Sequence, residues 1–475
     1  MTVRCKKPVF ALSMAACGLW AQGGPPPPLV HLYPAALDSS GQPATGLTAE
    51  DFRIADQGKS ETIVFFRRPA AKAPVALGPH EYTNRPGGVT PHSTAILFDL
   101  LNEGQSNRLE TWHRLAKSVT QLAVGGQVYF YVLNLDGDLL PVLPIEPQTG
   151  ERGPFDQELN KIMDKANLAR PAGLDREDRA KRTYHQIEIV SNQLATLPGR
   201  KDIVWITNTA PSITNSMPCA GDWVECGLYV SHLAVTLERD HVAVNPDYDS
   251  GAPQPTASYD LEQMALLTGG HAYFLHDIRE VVQEISRNAA NEYEIAYSPP
   301  VSNWDNKFHR IRTACARKGV KLRVRERYYA LPDSRSAADR QKDELTAAYQ
   351  RPSDTADIGL GVKVTPTAKG VHLDILLDTA DLLLREQGGK FVGALTVVLS
   401  DRGAAETDSA GLQLRPIGEP AVQSLALAIT KERHDSGAPE EIQLEHATSD
   451  SVQRIRLVVM DANTNAIGSL TFPVR

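Results

Sequence analysis

The sequence predicts an α/β protein. A doubly wound, mostly parallel sheet of Rossmann-like type occupies residues 92–290 and is flanked by a small β module. A β-sandwich of immunoglobulin type follows at 357–475. Three observations predict this. Residues Thr94–Leu100 (TAILFDL) form an apolar run with no polar alternation until its end, which suits a strand covered on both faces. From there to residue 290 such runs alternate with stretches of helical spacing, the β-α-β repetition of a parallel sheet. After residue 357 the helical spacing stops, and seven short apolar runs succeed one another between turn signals.

At 475 residues the chain is too long for one ordinary core, so two or three domains are expected. An apolar fraction of 42% with 22% charged residues describes a globular chain. The net charge of −8 and the lack of a continuous basic stripe argue against a nucleic-acid partner.

The N-terminus reads as an export leader spanning residues 1–22. Arg4, Lys6 and Lys7 precede the apolar run Pro8–Ala21, which is too short to span a bilayer. Cleavage near Ala21 leaves a chain that opens with the spacer Pro25–Pro28. No later run reaches transmembrane length, so the mature protein is expected outside the cytoplasm: periplasmic, extracellular or on the outer surface. Met14-Ala15-Ala16-Cys17 resembles a lipoprotein signal. That offers Cys17 as a lipid anchor, against the simpler reading of an incidental cysteine in a removed peptide.

Of the five cysteines, Cys5 and Cys17 belong to the leader. Cys219 and Cys226 enclose a loop of small and polar residues, and in an oxidising compartment a disulfide is the natural reading. A metal pair completed by His232 is the alternative, although zinc wants four ligands and the spacing fits no common zinc module. Cys315 stands alone and is expected to be buried in a strand.

In chain order, Leu29–Leu37 reads as a strand, and Thr48 with Asp51 has capping-box spacing for one helical turn. Residues 52–56 and 62–66 read as further strands. These elements of 29–68 are too few to bury a core alone and are expected to be completed by 291–330. Residues 69–92, rich in Pro, Gly and Ala, read as a linker. The strand at 94–100 leads into a helix at 107–123. Strands at 127–135 and 138–143 are joined by the hairpin turn Asp136-Gly137. Helices follow at 155–169 and 177–197, then the strand Asp202–Thr207. A helix at 227–239, a strand at 241–245, a helix at 259–268 closed by Gly269-Gly270, a short strand at 272–274 and a helix at 277–289 complete the segment. From Glu292 the pattern turns to period two, with Tyr293, Ile295 and Tyr297 alternating with polar residues. Residues 331–356 are polar and helix-compatible, a second linker.

Several stretches together resemble one family: TGLTAEDFRIADQGKSETIVFF, ILFDLLNEGQ, GRKDIVWIT, LLTGGHAYF, and YEIAYSPP followed by FHRIRTACARKGVKLRVRERYYA. Their order and spacing, over roughly residues 30–330, are similar to those of von Willebrand factor type A-related proteins common in acidobacteria. The resemblance implies a secreted protein with a Rossmann-like A domain. It also implies a divalent-cation site, built from Asp-x-Ser-x-Ser after the first strand with a Thr and an Asp from later loops. A hard cation such as Mg²⁺ needs such oxygen ligands. Here Asp99 takes the first position, but Leu101 and Glu103 replace the serines, and Asn208 and Thr209 stand where an acid is expected. No Thr suggests itself in the 138–146 loop. Asp99 is therefore the candidate metal ligand, and a degenerate site in which it braces the following turn is the alternative; no other cofactor is expected.

Enzyme signatures are missing: no G-x-S-x-G elbow, no H-E-x-x-H, no phosphate loop and no dinucleotide fingerprint. The thirteen histidines are scattered, with His271 and His276 flanking a short strand. The sequence thus points to an exported non-enzymatic binding or adhesion-type protein. Its contact rim would comprise Asn102, Glu103, Gln105, Asn208 and Thr209 beside the Cys219–Cys226 loop. The expected partner is a protein or a cell-surface polymer. The other reading is a structural or assembly subunit of a cell-envelope complex whose rim is vestigial.

Overall fold

A computed structural model of the protein describes residues 2–3, 29–67, 76–85, 92–102, 127–145, 157–165 apart from 158 and 163, 173–174, 176–195, 197, 200–207, 233–248, 255–274, 277–332, 335–350, 354–408 and 411–474. The chain is mixed α/β, with many strands and few helices. It divides into two compact units. One is built from Val30–Pro69 and Pro91–Pro332, the other from Met1–Leu29, Ala70–Thr90 and Asp333–Arg475.

After a two-residue strand, β1 (Thr2–Val3), which belongs to the second unit, the first unit opens with β2 (Val30–Leu32) and β3 (Ala35–Leu37). The single strand expected over 29–37 is two, divided at Tyr33-Pro34, where proline has no N–H to give a ladder. Thr48 and Asp51 form the capping box of a 3₁₀ turn, with the Thr48 N–H 2.9 Å from Asp51 Oδ2. Strands β4 (Phe52–Asp56), β5 (Lys59–Glu61) and β6 (Ile63–Arg67) follow. Residues 70–90 leave this unit and carry β7 (Glu81–Thr83).

The chain then returns as β8 (His92–Asp99), β9 (Gln127–Leu133), β10 (Leu139–Ile145), α1 (Arg176–Leu194), β11 (Arg200–Thr207), β12 (Val242–Tyr248), α2 (Pro255–Thr268), β13 (Tyr273–Phe274) and α3 (Ile278–Ala290). The helix expected at 107–123 lies outside the described residues. The six strands form one sheet in the order β10-β9-β8-β11-β12-β13. β8 pairs parallel to both β9 and β11, β11 to β12, and β12 to β13. β10 returns antiparallel to β9 across the Asp136-Gly137 turn, where Gly137 has φ +83°.

Alternation along these strands divides their side chains between two cores, as a pleated strand buried on both faces requires. Ile96, Phe98, Phe130, Val132, Val204 and Ile206 pack with Ile278, Val281, Val282 and Ile285 of α3. Ala95, Leu97, Tyr131, Ile203, Trp205 and Val244 pack on the opposite face with Tyr184, Ile187 and Val190 of α1 and Leu261 and Met264 of α2. Asp99 and Thr207 therefore come at the same end of adjacent strands, the carboxyl end.

Beyond α3, β14 (Glu294–Tyr297), β15 (Phe308–Cys315), β16 (Lys321–Arg323) and β17 (Arg327–Tyr329) pair with the N-terminal strands. β14 lies between β2 and β6, β15 pairs with β4, and β16 with β3. Val30, Leu32, Phe52 and Ile54 from one flank share a core with Tyr293, Ile295, Ile311 and Tyr328 from the other.

The second unit has α4 (Ala337–Gln350), β18 (Leu360–Thr367), β19 (Gly370–Leu377), β20 (Arg385–Gln387), β21 (Lys390–Asp408), β22 (Gly411–Thr430), α5 (Lys431–Ser436), β23 (Glu440–Ala447), β24 (Arg454–Asp461) and β25 (Ile467–Pro473). One sheet runs β1-β23-β19-β18-β7. The other runs β20-β21-β24-β25, with β22 also on β21. A single core takes Val362, Leu373 and Ile375 from the first sheet and Val397, Leu457 and Phe472 from the second. Both stretches expected as linkers contribute to this unit. β7 adds to β18, and Tyr82 stacks on Phe472 at 5.9 Å. Leu345 and Ala348 of α4 pack against Val398, Val458 and Met460.

Candidate binding site at the carboxyl end of the sheet

Asp99 ends β8 fully buried. The turn after it brings the Asn102 backbone N–H to 3.0 Å from Oδ1, and the Asn102 side-chain amide to 2.7 Å from Oδ2. Adjacent β11 supplies the indole N–H of Trp205 at 3.0 Å and the Thr207 hydroxyl at 3.3 Å, both donating to Oδ2. The Asn102 amide also donates to Thr183 Oγ1 at 2.7 Å, and that hydroxyl donates to the Arg179 carbonyl within α1. One carboxyl group thus ties the crest of two strands to a helix. Burial pushes its pKa above the ordinary carboxylate range, against the pull of the hydrogen bonds from Asn102, Trp205 and Thr207.

This donor set does not fit a hard cation. Such an ion needs carboxylate oxygens free to face it, and both oxygens of Asp99 are engaged by N–H and O–H donors of its own chain. Leu101, at one of the replaced serine positions, is buried. Among the described residues no group of three or more His, Cys, Asp or Glu side chains is arranged to hold a metal.

Of the rim residues expected from sequence, Asn102 is described and is buried against Asp99. Glu103, Gln105, Asn208 and Thr209 lie outside the described residues, as do Cys219, Cys226, His232 and His276. No cysteine pair is seen among the described residues. Cys315 is a free thiol, half-buried at the end of β15.

The chain matches no protein-family model, and no curated protein matches it. A distant structural neighbour is a solved von Willebrand factor type A protein from Catenulispora acidiphila. It is 11% identical, with 69% of this chain and 82% of that one covered, at a TM-score of 0.28. The acidobacterial origin that the sequence resemblance suggested finds no support in these comparisons.

Sequence reasoning missed a second polar cluster, at the opposite end of the same sheet. Arg200 begins β11 beside His92 of β8. Its Nε donates to Asp202 Oδ2 at 3.0 Å, and its Nη1 reaches Glu292. Asp202, fully buried, also meets His92 Nε2 at 3.0 Å and the Asn245 amide at 2.8 Å. The Asn245 side-chain Oδ1 accepts the His271 backbone N–H at 2.9 Å. One guanidinium serves two buried carboxylates here. Burial raises Asp202, but Arg200 and His92 overcome it and hold its pKa well below the usual range. Glu292 is pushed up to about 7 by burial, which the share of Arg200 left to it does not offset. The available signal was Arg200 and Asp202 two residues apart, hence on one side of a strand whose same side continues with the apolar Val204 and Ile206.

Among the described residues no helix is long and apolar enough to cross a membrane.

Proposed function

We propose that this is an exported, non-enzymatic binding protein that uses the carboxyl end of its doubly wound α/β sheet to contact a protein or surface polymer without a metal ion. The C-terminal unit would serve as an immunoglobulin-type spacer or second contact module. The observation that carries the metal-free reading is the state of Asp99, whose two oxygens accept four hydrogen bonds from Asn102, Trp205 and Thr207 inside the fold. Ligands of such sheets meet them at this end, where loops from neighbouring strands converge. A carboxylate held in this way braces the turn at Asn102 and the end of β11, and this reading assigns contact to residues that follow them in sequence: Glu103, Gln105, Asn208 and Thr209.

Two measurements test this. A cation bound only by the folded chain must raise its melting temperature. The expected result is no change with millimolar Mg²⁺, Mn²⁺ or Ca²⁺, and a rise reversed by chelator would sink the metal-free reading. Immobilised protein should also capture its partner from envelope extract. A Glu103→Ala, Asn208→Ala, Thr209→Ala chain should lose that capture at an unchanged melting temperature, and undiminished capture would move the contact away from the rim. The second reading, an envelope assembly subunit with a vestigial rim, is favoured by the long ribbon of β21 and β22.

A further inference from the structure

Ten consecutive residues of β22, Ala421–Thr430 (AVQSLALAIT), carry no charge. β21 pairs with this run along one side, Leu399 opposite Ala421 through Lys390 opposite Thr430. Among the described residues no other strand meets its outer side. Its side chains alternate. Leu427 and Ile429 are buried and Leu425 half-buried, whereas Val422, Ser424, Ala426 and Ala428 are exposed, Val422 to 62%.

Among the described residues the other sheet edges in this unit are covered, short or charged, β20 being three exposed residues (Arg385–Gln387) and β23 carrying Glu440, Glu441 and Glu445. At the far end of the same sheet, the edge of β25 is occupied by residues 355–357. The Asp357 N–H donates to the Ile467 carbonyl, and the Ser469 N–H donates to the Thr355 carbonyl. The other sheet ends on strands of two and three residues, β1 and β7. Natural sheets protect long edges with charges, prolines, bulges or covering segments, because an open edge is a template for another strand. Among the described residues the run 421–430 has none of these within it. They stand only at its limits: the bulge opposite Ser400, where Gly418 has φ +69°, and α5 from Lys431.

We infer that this edge pairs with the same edge of a second copy of the chain, antiparallel about a two-fold axis, so that two sheets become one. A two-fold interface sets a surface against itself, and an uncharged run does so without placing like charges opposite one another. The charges just outside the run favour the antiparallel sense. Glu419 and Lys431, both exposed, stand at opposite ends. An axis at Leu425, midway between them, brings Glu419 of one copy to Lys431 of the other at both ends. Lys431 Nζ is 2.8 Å from Asp435 in its own helical turn and stays exposed there. Ten residues of edge bury less than the roughly 1,200 Å² of a standard stable interface, so the dimer forms reversibly and with concentration. This inference does not depend on the function of the α/β rim.

Sedimentation of the full chain from about 1 to about 500 μM tests it, with a dissociation constant expected in the tens of micromolar. Ala426→Lys puts two ammonium groups beside the axis and is expected to weaken association at least about tenfold at an unchanged melting temperature. Leu376→Lys, the same change at another exposed apolar position, is expected to leave it intact. Should Ala426→Lys unsettle the fold, Val422→Lys gives the same readout at a more exposed position. Amides of 421–430 are expected to exchange more slowly in concentrated than in dilute protein. A chain that stays monomeric throughout overturns the inference. So does a dimer indifferent to lysine at 426 or 422, or one whose concentration-dependent protection lies outside 421–430.

Discussion

Arg200 stands between two buried carboxylates and can neutralise only one of them fully. Asp202 takes the larger share because His92 and Asn245 also serve it, and Glu292 is left near neutrality, with a pKa of about 7. The folded chain therefore holds a proton on Glu292 that the unfolded chain gives up around its ordinary value of 4.5. Between those values the folded state binds more protons, so stability falls as pH rises from about 4.5 to about 7, by a term on the order of 3 kcal/mol. Glu294 runs the other way. Burial raises it, but Arg67 and His31 overcome this and hold it at about 2, so its contribution is present above 4.5 and is lost as pH falls toward 2. Glu292→Gln is expected to flatten the fall in melting temperature between pH 4.5 and 7.5 while leaving the loss at lower pH. An unchanged slope would mean that Glu292 is ionised throughout. The pairing of Arg200 with Glu292 is not readable in the sequence, since the two are ninety-two residues apart. Asp99 was readable because it ends an apolar run. Its donors Trp205 and Thr207 were not, because a tryptophan in an apolar strand reads as core and its N–H is invisible to periodicity.

The elements best read from sequence are those whose neighbours are local. The helix–turn signal Gly269-Gly270 marked the end of α2 for the usual reason, a left-handed residue after the last turn, and Gly269 has φ +81°. Gly270 has a further role that no local rule shows. A Cβ there would lie 2.0 Å from the Val244 carbonyl oxygen, so the chain leaving α2 touches the backbone of β12. Gly270→Ala must push α2 off the sheet or bend β12, and overpacking of this kind costs on the order of 3 kcal/mol. Urea denaturation should show that loss in the midpoint, while Gly173→Ala, with open space around its Cβ position, should stay within about 0.5 kcal/mol. The elements inside the two stretches expected as linkers have distant neighbours instead. β7 is three residues inside a segment rich in turn formers, and it exists because β18, some 280 residues later, offers a ladder. α4 looks like a solvated linker because only a narrow stripe of it, including Leu345 and Ala348, meets the sheet beneath.

For the molecule, the decisive feature is that strands on either side of the α/β segment complete each other. β14 lies between β2 and β6, and β15 takes β4 as a neighbour. Removing the N-terminal flank strips β14 of both partners and leaves Tyr293, Ile295 and Tyr297, all fully buried, without Val30, Leu32 and Phe52. Burial of such side chains is worth about 1.5–3 kcal/mol each, too much for four short strands to lose and remain ordered. The flank also holds Asp56, which accepts hydrogen bonds from the Tyr297 and Tyr328 hydroxyls and faces His309 at 3.2 Å. Without it those hydroxyls and the imidazole lose a buried partner. A chain beginning at Ala70 keeps β7 for the C-terminal sheets but lacks β2 to β6. Amide exchange in such a chain is expected to speed up by orders of magnitude across 294–329, while β18 and β19 keep the protection they have in the full chain. Equal protection of 294–329 in both chains would show that the second flank folds without the first, and that the shared core contributes little to it.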